Sequence, residues 1–74
     1  MTEAQLVNLH ALARRLHRYS AAKIEPYMSQ IEEAIAELMD ATFEEQDQDR
    51  KTRMAAVQLK LRLMRERVTA TARN

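Results

Sequence analysis

Residues 51–73, KTRMAAVQLKLRLMRERVTATAR, decide how the chain folds. Met54, Val57, Leu61, Met64 and Val68 recur at spacings of three and four, the spacing of one buried helix face. At about 100° per residue, Ala56, Leu59, Leu63 and Ala70 fall on nearly the opposite side of the same helix. Arg53, Lys60 and Arg67 occupy one flank between these apolar stripes, and Lys51, Arg62 and Arg65 the other. A helix that is apolar on two opposite faces has more to bury than one small neighbour can cover. The first stripe is therefore expected to form the core of an oligomeric bundle, and Ala56, Leu59 and Leu63 a stripe for a partner or a second copy.

Composition supports a helical reading of the remainder. The 74 residues include no glycine and a single proline, and 46% are apolar, rich in the helix formers Ala, Leu and Met. Cysteine is absent, which excludes a disulfide framework and a thiolate metal site. A core this small rarely supplies more than ~3–5 kcal/mol, and oligomerisation is a common remedy. The start, MTEAQLVNL, has no basic region followed by an apolar run, and no uncharged run approaches the ~20 residues that cross a bilayer. The expectation is a soluble, cytoplasmic chain.

A net charge of +1 conceals three blocks. Residues 1–23 carry +3, residues 24–49 carry nine acids and no Lys or Arg, and residues 50–74 carry +7. Blocks of this kind usually mark solvated faces or interaction surfaces. The simplest arrangement lays the acidic and basic helices side by side.

Working back from the basic helix, residues 42–50, TFEEQDQDR, hold the boundary with its predecessor. Thr42 and Glu45 have capping-box spacing, and Asp47 or Asp49 could cap the next helix, so a turn is expected at 46–49. Heptad spacing from Phe43 through Asp47 and Arg50 to Met54 keeps one helix of more than 40 residues as the alternative. Before this boundary, Tyr27, Met28, Ile31, Ala34, Ile35, Leu38 and Met39 make an apolar face, with Glu33, Glu37 and Asp40 as an acidic partner face on the other side. Pro26 suits the first position of that helix and disfavours the helical conformation of Glu25. The preceding helix is expected to start after the Thr2–Gln5 capping box and to end by Ala22, burying Leu6, Leu9, Leu12, Ala13, Leu16 and Tyr19. A kinked continuous helix through Pro26 is the alternative.

Catalytic and metal chemistry find little footing. His10 and His17 lie about 10 Å apart along a helix, too far for two ligands of one ion, and are expected at a solvated border. With Arg14 they could instead form a phosphate-facing strip. The carboxylates show no acid/base arrangement, and without glycine there is no phosphate-cradling loop. No enzyme activity, cofactor or metal is expected. Arg53, Lys60, Arg62, Arg65 and Arg67 are candidate phosphate contacts, although residues 44–74 contain no aromatic ring for base stacking. Without Trp or Phe in the stripe, a membrane is not an expected partner. The methionines read mostly as core, although Met is also frequent at adaptable docking surfaces.

The run from Ile31 to Arg65 resembles a helical hairpin of phage-associated proteins, small terminase subunits among them. The resemblance rests on Ala34-Ile35 to Leu38-Met39 at a helix end, an acidic turn, and Arg53, Ala55, Ala56 and Leu59 at the next helix start. It implies a phage or mobile-element origin, with the host cytoplasm as location. In small terminase subunits a separate helix-turn-helix reads DNA, a unit with no clear counterpart in residues 1–25.

The resulting expectation is an all-α fold of three helices, about 3–22, 26–46 and 49–72, in one small domain spanning 1–74. The last two form an antiparallel hairpin, and helix 1 packs on it or swaps onto a neighbour. The chain is expected to homo-oligomerise, with a dimer favoured, and to act as a small adaptor or inhibitor that docks on another protein. The alternative is a nucleic-acid-binding accessory protein that uses the basic helix.

Overall fold

A computed structural model describes residues 1–72. It consists of α1 (Glu3–His17), a short α2 (Ala21–Ile24), a 3-10 turn (Glu25–Tyr27), α3 (Met28–Glu44) and α4 (Gln48–Ala72), with no strand among the described residues. The fold is all-α, with three long helices. Arg73, part of the basic stretch read from the sequence, lies outside the described residues.

The longest helix, α4, organises the others. At 1.5 Å per residue its 25 residues extend about 37 Å, nearly the 41 Å long axis of the molecule. It packs against α1, α2 and α3. The Glu45–Asp47 reversal makes α3 antiparallel to α4. Contacts from Glu3 to Arg53 and from Tyr19 to Arg67 show that α1 runs parallel to it. Helix 1 therefore packs on the hairpin of its own chain.

The five-residue stripe Met54, Val57, Leu61, Met64 and Val68 is buried within the single chain. It meets Leu6, Ala13 and Leu16 of α1, Ile24 of α2, and Ile31, Ala34, Ile35 and Leu38 of α3 in one continuous core. The stripe assigned from sequence to the core of an oligomer is thus already covered by the chain's own helices. No polar or charged residue is buried among the described residues.

Helix 1 ends earlier than the expected Ala22, and the break falls at Arg18–Ser20 rather than at Pro26. The N–H of Arg18 is shared between the carbonyls of Arg15 and Leu16, which closes α1. Ser20 then adopts an extended conformation (ψ 162°), and its hydroxyl accepts from the Lys23 N–H at 3.4 Å as the cap of α2. Glu25 is helical (φ −48°, ψ −45°) despite preceding proline, and Pro26 sits in the first turn of the 3-10 segment, where its missing N–H is least needed. Helical turns therefore run from Ala21 through the 3-10 segment to Glu44, with Tyr27 (φ −98°, ψ 4°) at the junction with α3. Burial of Ile24 in the core outweighs the local preference of a residue before proline. Leu9, Leu12 and Tyr19 are only half-buried, and Met39, expected on the core face of α3, is 49% exposed.

The α3–α4 reversal is a three-residue turn, at 45–47 rather than 46–49, which excludes a single long helix. Glu45 leaves α3 with ψ 131°, and its N–H closes onto the carbonyls of Ala41 and Thr42. The Asp47 carboxylate accepts from the Asp49 N–H at 3.3 Å, and the Asp47 carbonyl from the Lys51 N–H at 3.0 Å. Asp47 is thus the N-cap of α4, one of the two caps expected. Thr42, by contrast, lies inside α3, so its capping-box match with Glu45 starts no helix. No described residue has a positive φ, so this tight reversal forms without glycine.

Because Leu61 is fully buried, Leu61→Ala is expected to destabilise the chain by about 2–5 kcal/mol, enough to unfold most of so small a domain. Leu59→Ala, on the exposed side, should stay within about 0.5 kcal/mol of the parent. Urea denaturation followed by circular dichroism separates the two.

Candidate interaction surfaces

With its first stripe buried, α4 still presents its second. Leu59 is 58% and Leu63 54% exposed, and Ala56 is also open to solvent. Both faces read from the sequence are therefore real, but only one is satisfied within the chain. Leu59 and Leu63 line a shallow recess with Arg62, Arg65, Glu66 and Thr69.

The parallel packing of α1 on α4 creates a second feature. Two recesses follow the seam between these helices. One, of about 150 Å³, is lined by residues including Leu6, Val7, His10, Ala56 and Lys60. The other, of about 500 Å³, is lined mainly by apolar surface of Leu63, Met64 and Ala70, with His17, Lys60, Arg67 and one acid, Glu66, also at its walls. Lys60 lines both, so the two recesses adjoin and are together called the groove of the seam. The α4 wall repeats at Ala56, Lys60, Leu63, Arg67 and Ala70, and Val7, His10, Arg14 and His17 have matching spacing on α1. His10 and His17, expected at a solvated border, thus stand at the rim of an apolar groove beside Lys60 and Arg67. Val7, 55% exposed, was not singled out from the sequence. Its spacing with the two histidines was the available signal.

The ion pairs of the described residues are gathered at the other end of the seam. Glu3 accepts from both terminal nitrogens of Arg53, at 2.6 and 3.3 Å. Arg50 lies 4.0 Å from Glu3 and 3.2 Å from Glu45, and donates to the Met1 carbonyl at 2.6 Å. Arg53 also pairs with Asp49 at 3.5 Å. This cluster ties the amino terminus of α1 to the first turns of α4. At the opposite end, Arg67 donates to the Tyr19 carbonyl at 3.2 Å, and Arg15 lies 5.7 Å from the centre of the Tyr27 ring.

The acidic and basic helices lie side by side, as expected. Although α3 and α4 pack together, no ion pair among the described residues joins a carboxylate of α3 to α4. Glu33, Glu37 and Asp40 are exposed and unpaired, as are Lys60, Arg62 and Arg67, with Arg65 half-exposed. The reason is rotational: the core stripe of each helix faces the other, so the charges point outward. Arg53 is set apart from the other candidate phosphate contacts by its partnership with Glu3.

Among the described residues, no group of His, Asp and Glu is arranged to hold a metal ion, and no helix is long and apolar enough to cross a membrane. Compared with protein-family models, curated proteins and solved structures, the chain shows no significant match. The geometry thus defines an all-α helical bundle with an exposed apolar stripe on α4 and a cation-rimmed groove beside it.

Hydrogen bonding from Arg53, reinforced by its charge and that of Arg50, lowers the Glu3 carboxyl below its ordinary 4.5, and the same contact raises Arg53. A depressed carboxyl contributes stability that is present above pH 4.5 and lost as the pH falls through the lowered value. Glu3 is half-exposed, so the contribution is modest. Glu3→Gln should lower stability slightly at neutral pH and flatten its loss on the acid side of pH 4.5, as read from thermal melts across a pH series.

Proposed function

We propose that the chain is a non-enzymatic helical interaction module that acts by docking on protein through the outer face of α4. The observation that carries this reading is the exposure of Leu59 and Leu63, 58% and 54%, on a helix whose other face already completes the core. These side chains contribute nothing evident to the fold, and contiguous exposed apolar surface usually marks an interaction site. The acidic face of α3, with Glu33, Glu37 and Asp40, offers a second surface of opposite charge. Such a module suits a small oligomeric adaptor or inhibitor, and the hairpin resemblance favours a phage or mobile-element setting.

Leu59→Glu/Leu63→Glu tests the reading. Both positions are exposed, so the variant should keep its helical content and unfolding midpoint. Association, measured as molar mass by light scattering and as retention of cellular proteins on the immobilised chain, should weaken at least about tenfold. A variant that associates as well as the parent would remove the outer face of α4 from the account.

A second reading is favoured by one observation, the absence of ion pairs at Lys60, Arg62, Arg65 and Arg67 among the described residues. These cations could track phosphates of a nucleic acid. If each neutralises one phosphate, log affinity for duplex DNA should fall against log salt with a slope of roughly −3.6, because counterions are released. Binding that is absent at low salt, measured by fluorescence anisotropy with labelled duplex, eliminates this reading.

A further inference from the structure

The groove along the α1–α4 seam is an apolar trough rimmed by His10, His17, Lys60 and Arg67, and the same chain carries a surface of complementary form. On α3, Glu32, Ala36, Met39 and Phe43 follow one another at spacings of four, three and four, which brings them into line on one side of the helix. Phe43 is 88% exposed and Met39 49%. An almost fully exposed Phe, one turn beyond an exposed Met, is an apolar ridge with no covering inside the chain. Glu32 stands in the line itself and Glu33 and Asp40 border it, none in an ion pair among the described residues. The ridge and the groove therefore match in chemistry: a narrow apolar line with acids along it, and an apolar trough with bases along it. They also match in period, since the α1 and α4 walls repeat at three and four as the ridge does.

We propose that the α1–α4 groove receives the Ala36–Met39–Phe43 ridge of α3 from a second copy of this chain. The inference rests on the interaction-module reading and names the partner of one of its surfaces. Phe43 and Met39 supply the buried apolar contact against Val7, Ala56, Leu63 and Ala70, while Asp40 and Glu33 approach Lys60 and Arg67. Charge complementarity selects the occupant: Glu32, Glu33 and Asp40 border the ridge, Lys60 and Arg67 border the groove, and none of them is in an ion pair among the described residues.

Ridge and groove lie on different sides of the bundle. Met1 and Gln5 at the start of α1 share a recess with Glu37, Asp40 and Glu44, which fixes the flank of α3 that faces α1. At about 100° per residue, Met39 and Phe43 fall towards the other flank. One chain can thus offer its ridge to a neighbour while its own groove stays open to a third. The contact is heterologous, and assembly should proceed head to tail beyond a dimer.

Sedimentation velocity over a range of micromolar concentrations tests this with variants at exposed positions, each first confirmed as helical. Wild type should show mass rising with concentration past the dimer. Phe43→Asp removes the ridge and keeps the groove, while Lys60→Glu/Arg67→Glu spoils the groove and keeps the ridge. Each alone should be monomeric. Mixed in equal amounts they retain one competent contact and should form a heterodimer that grows no further.

A wild type that is monomeric throughout, or a mixture that yields no heterodimer, overturns the proposal. If Phe43→Asp associates as wild type does and only Leu59→Glu/Leu63→Glu disperses it, the ridge is not the occupant, and the reading of α4 as a docking face survives. If wild type stays monomeric but duplex DNA binds the groove with a steep salt dependence lost in Lys60→Glu/Arg67→Glu, the trough is a phosphate site, and both the inference and the protein-docking reading fall.

Discussion

The structure depends on one contact surface, the stripe of Met54, Val57, Leu61, Met64 and Val68 on α4. Helices α1, α2 and α3 pack against α4, so each reaches the core through this stripe. Small domains have little margin, since burial scales poorly with short chains. A single long helix that backs several shorter ones makes economical use of few apolar residues, because each of its turns contacts more than one neighbour. It also explains why the molecule is elongated: its long axis follows the length of α4.

That dependence has a consequence at the surface. A helix used as a central spine must turn one side inward along its whole length, and the remaining residues are then free of folding duties. In α4 those residues are not uniformly polar. They include Leu59 and Leu63 in the middle and a run of cations on both flanks. The same separation holds on α3, where Ile31, Ala34, Ile35 and Leu38 complete the core while Met39 and Phe43 face outward. Exposed leucine, methionine and phenylalanine add nothing evident to the fold, and their placement on two helices of opposite charge is what motivates the proposed docking surfaces.

How much of this was legible in the sequence follows from the kind of signal each feature leaves. The core stripes of α3 and α4 were readable because helical periodicity is set by the backbone and is independent of context. The Thr2 cap was readable for a similar reason: its capping box with Gln5 forms as the spacing requires, with bonds of 2.8 and 3.1 Å. The end of α1 was misplaced because Pro26 is a conspicuous local signal, whereas the break at Ser20 is made by the tertiary requirement to bring Ile24 into the core. Met39 was assigned inward because it lies at the edge of the apolar arc, where a modest rotation of the helix decides burial. The histidines were readable as a solvated border, and both are exposed, but the groove beside them depends on the parallel docking of α1, which no local pattern encodes. The acidic and basic blocks do lie side by side, joined at the turn by Arg50–Glu45 and Arg53–Asp49, while the remaining charges point outward. Block charges report how much charge a segment holds, not the direction in which it points.

The direction of those charges bears on what kind of partner the molecule tolerates. Within the bundle, the seam brings His10 and His17 of α1 beside Lys60 and Arg67 of α4, and the ion pairs of the described residues are confined to its Glu3–Arg53 end. A surface laid into the groove would touch both helices, so binding there and the docking of α1 would strengthen one another. Leu59 lacks this coupling, since its recess is lined by α4 alone and burying it changes nothing in how α1 packs. The outer stripe of α4 is therefore unequal across its width. Contacts at Leu59 would add to an existing bundle, whereas contacts at Ala56, Leu63 and Ala70, which also line the groove, would tighten it.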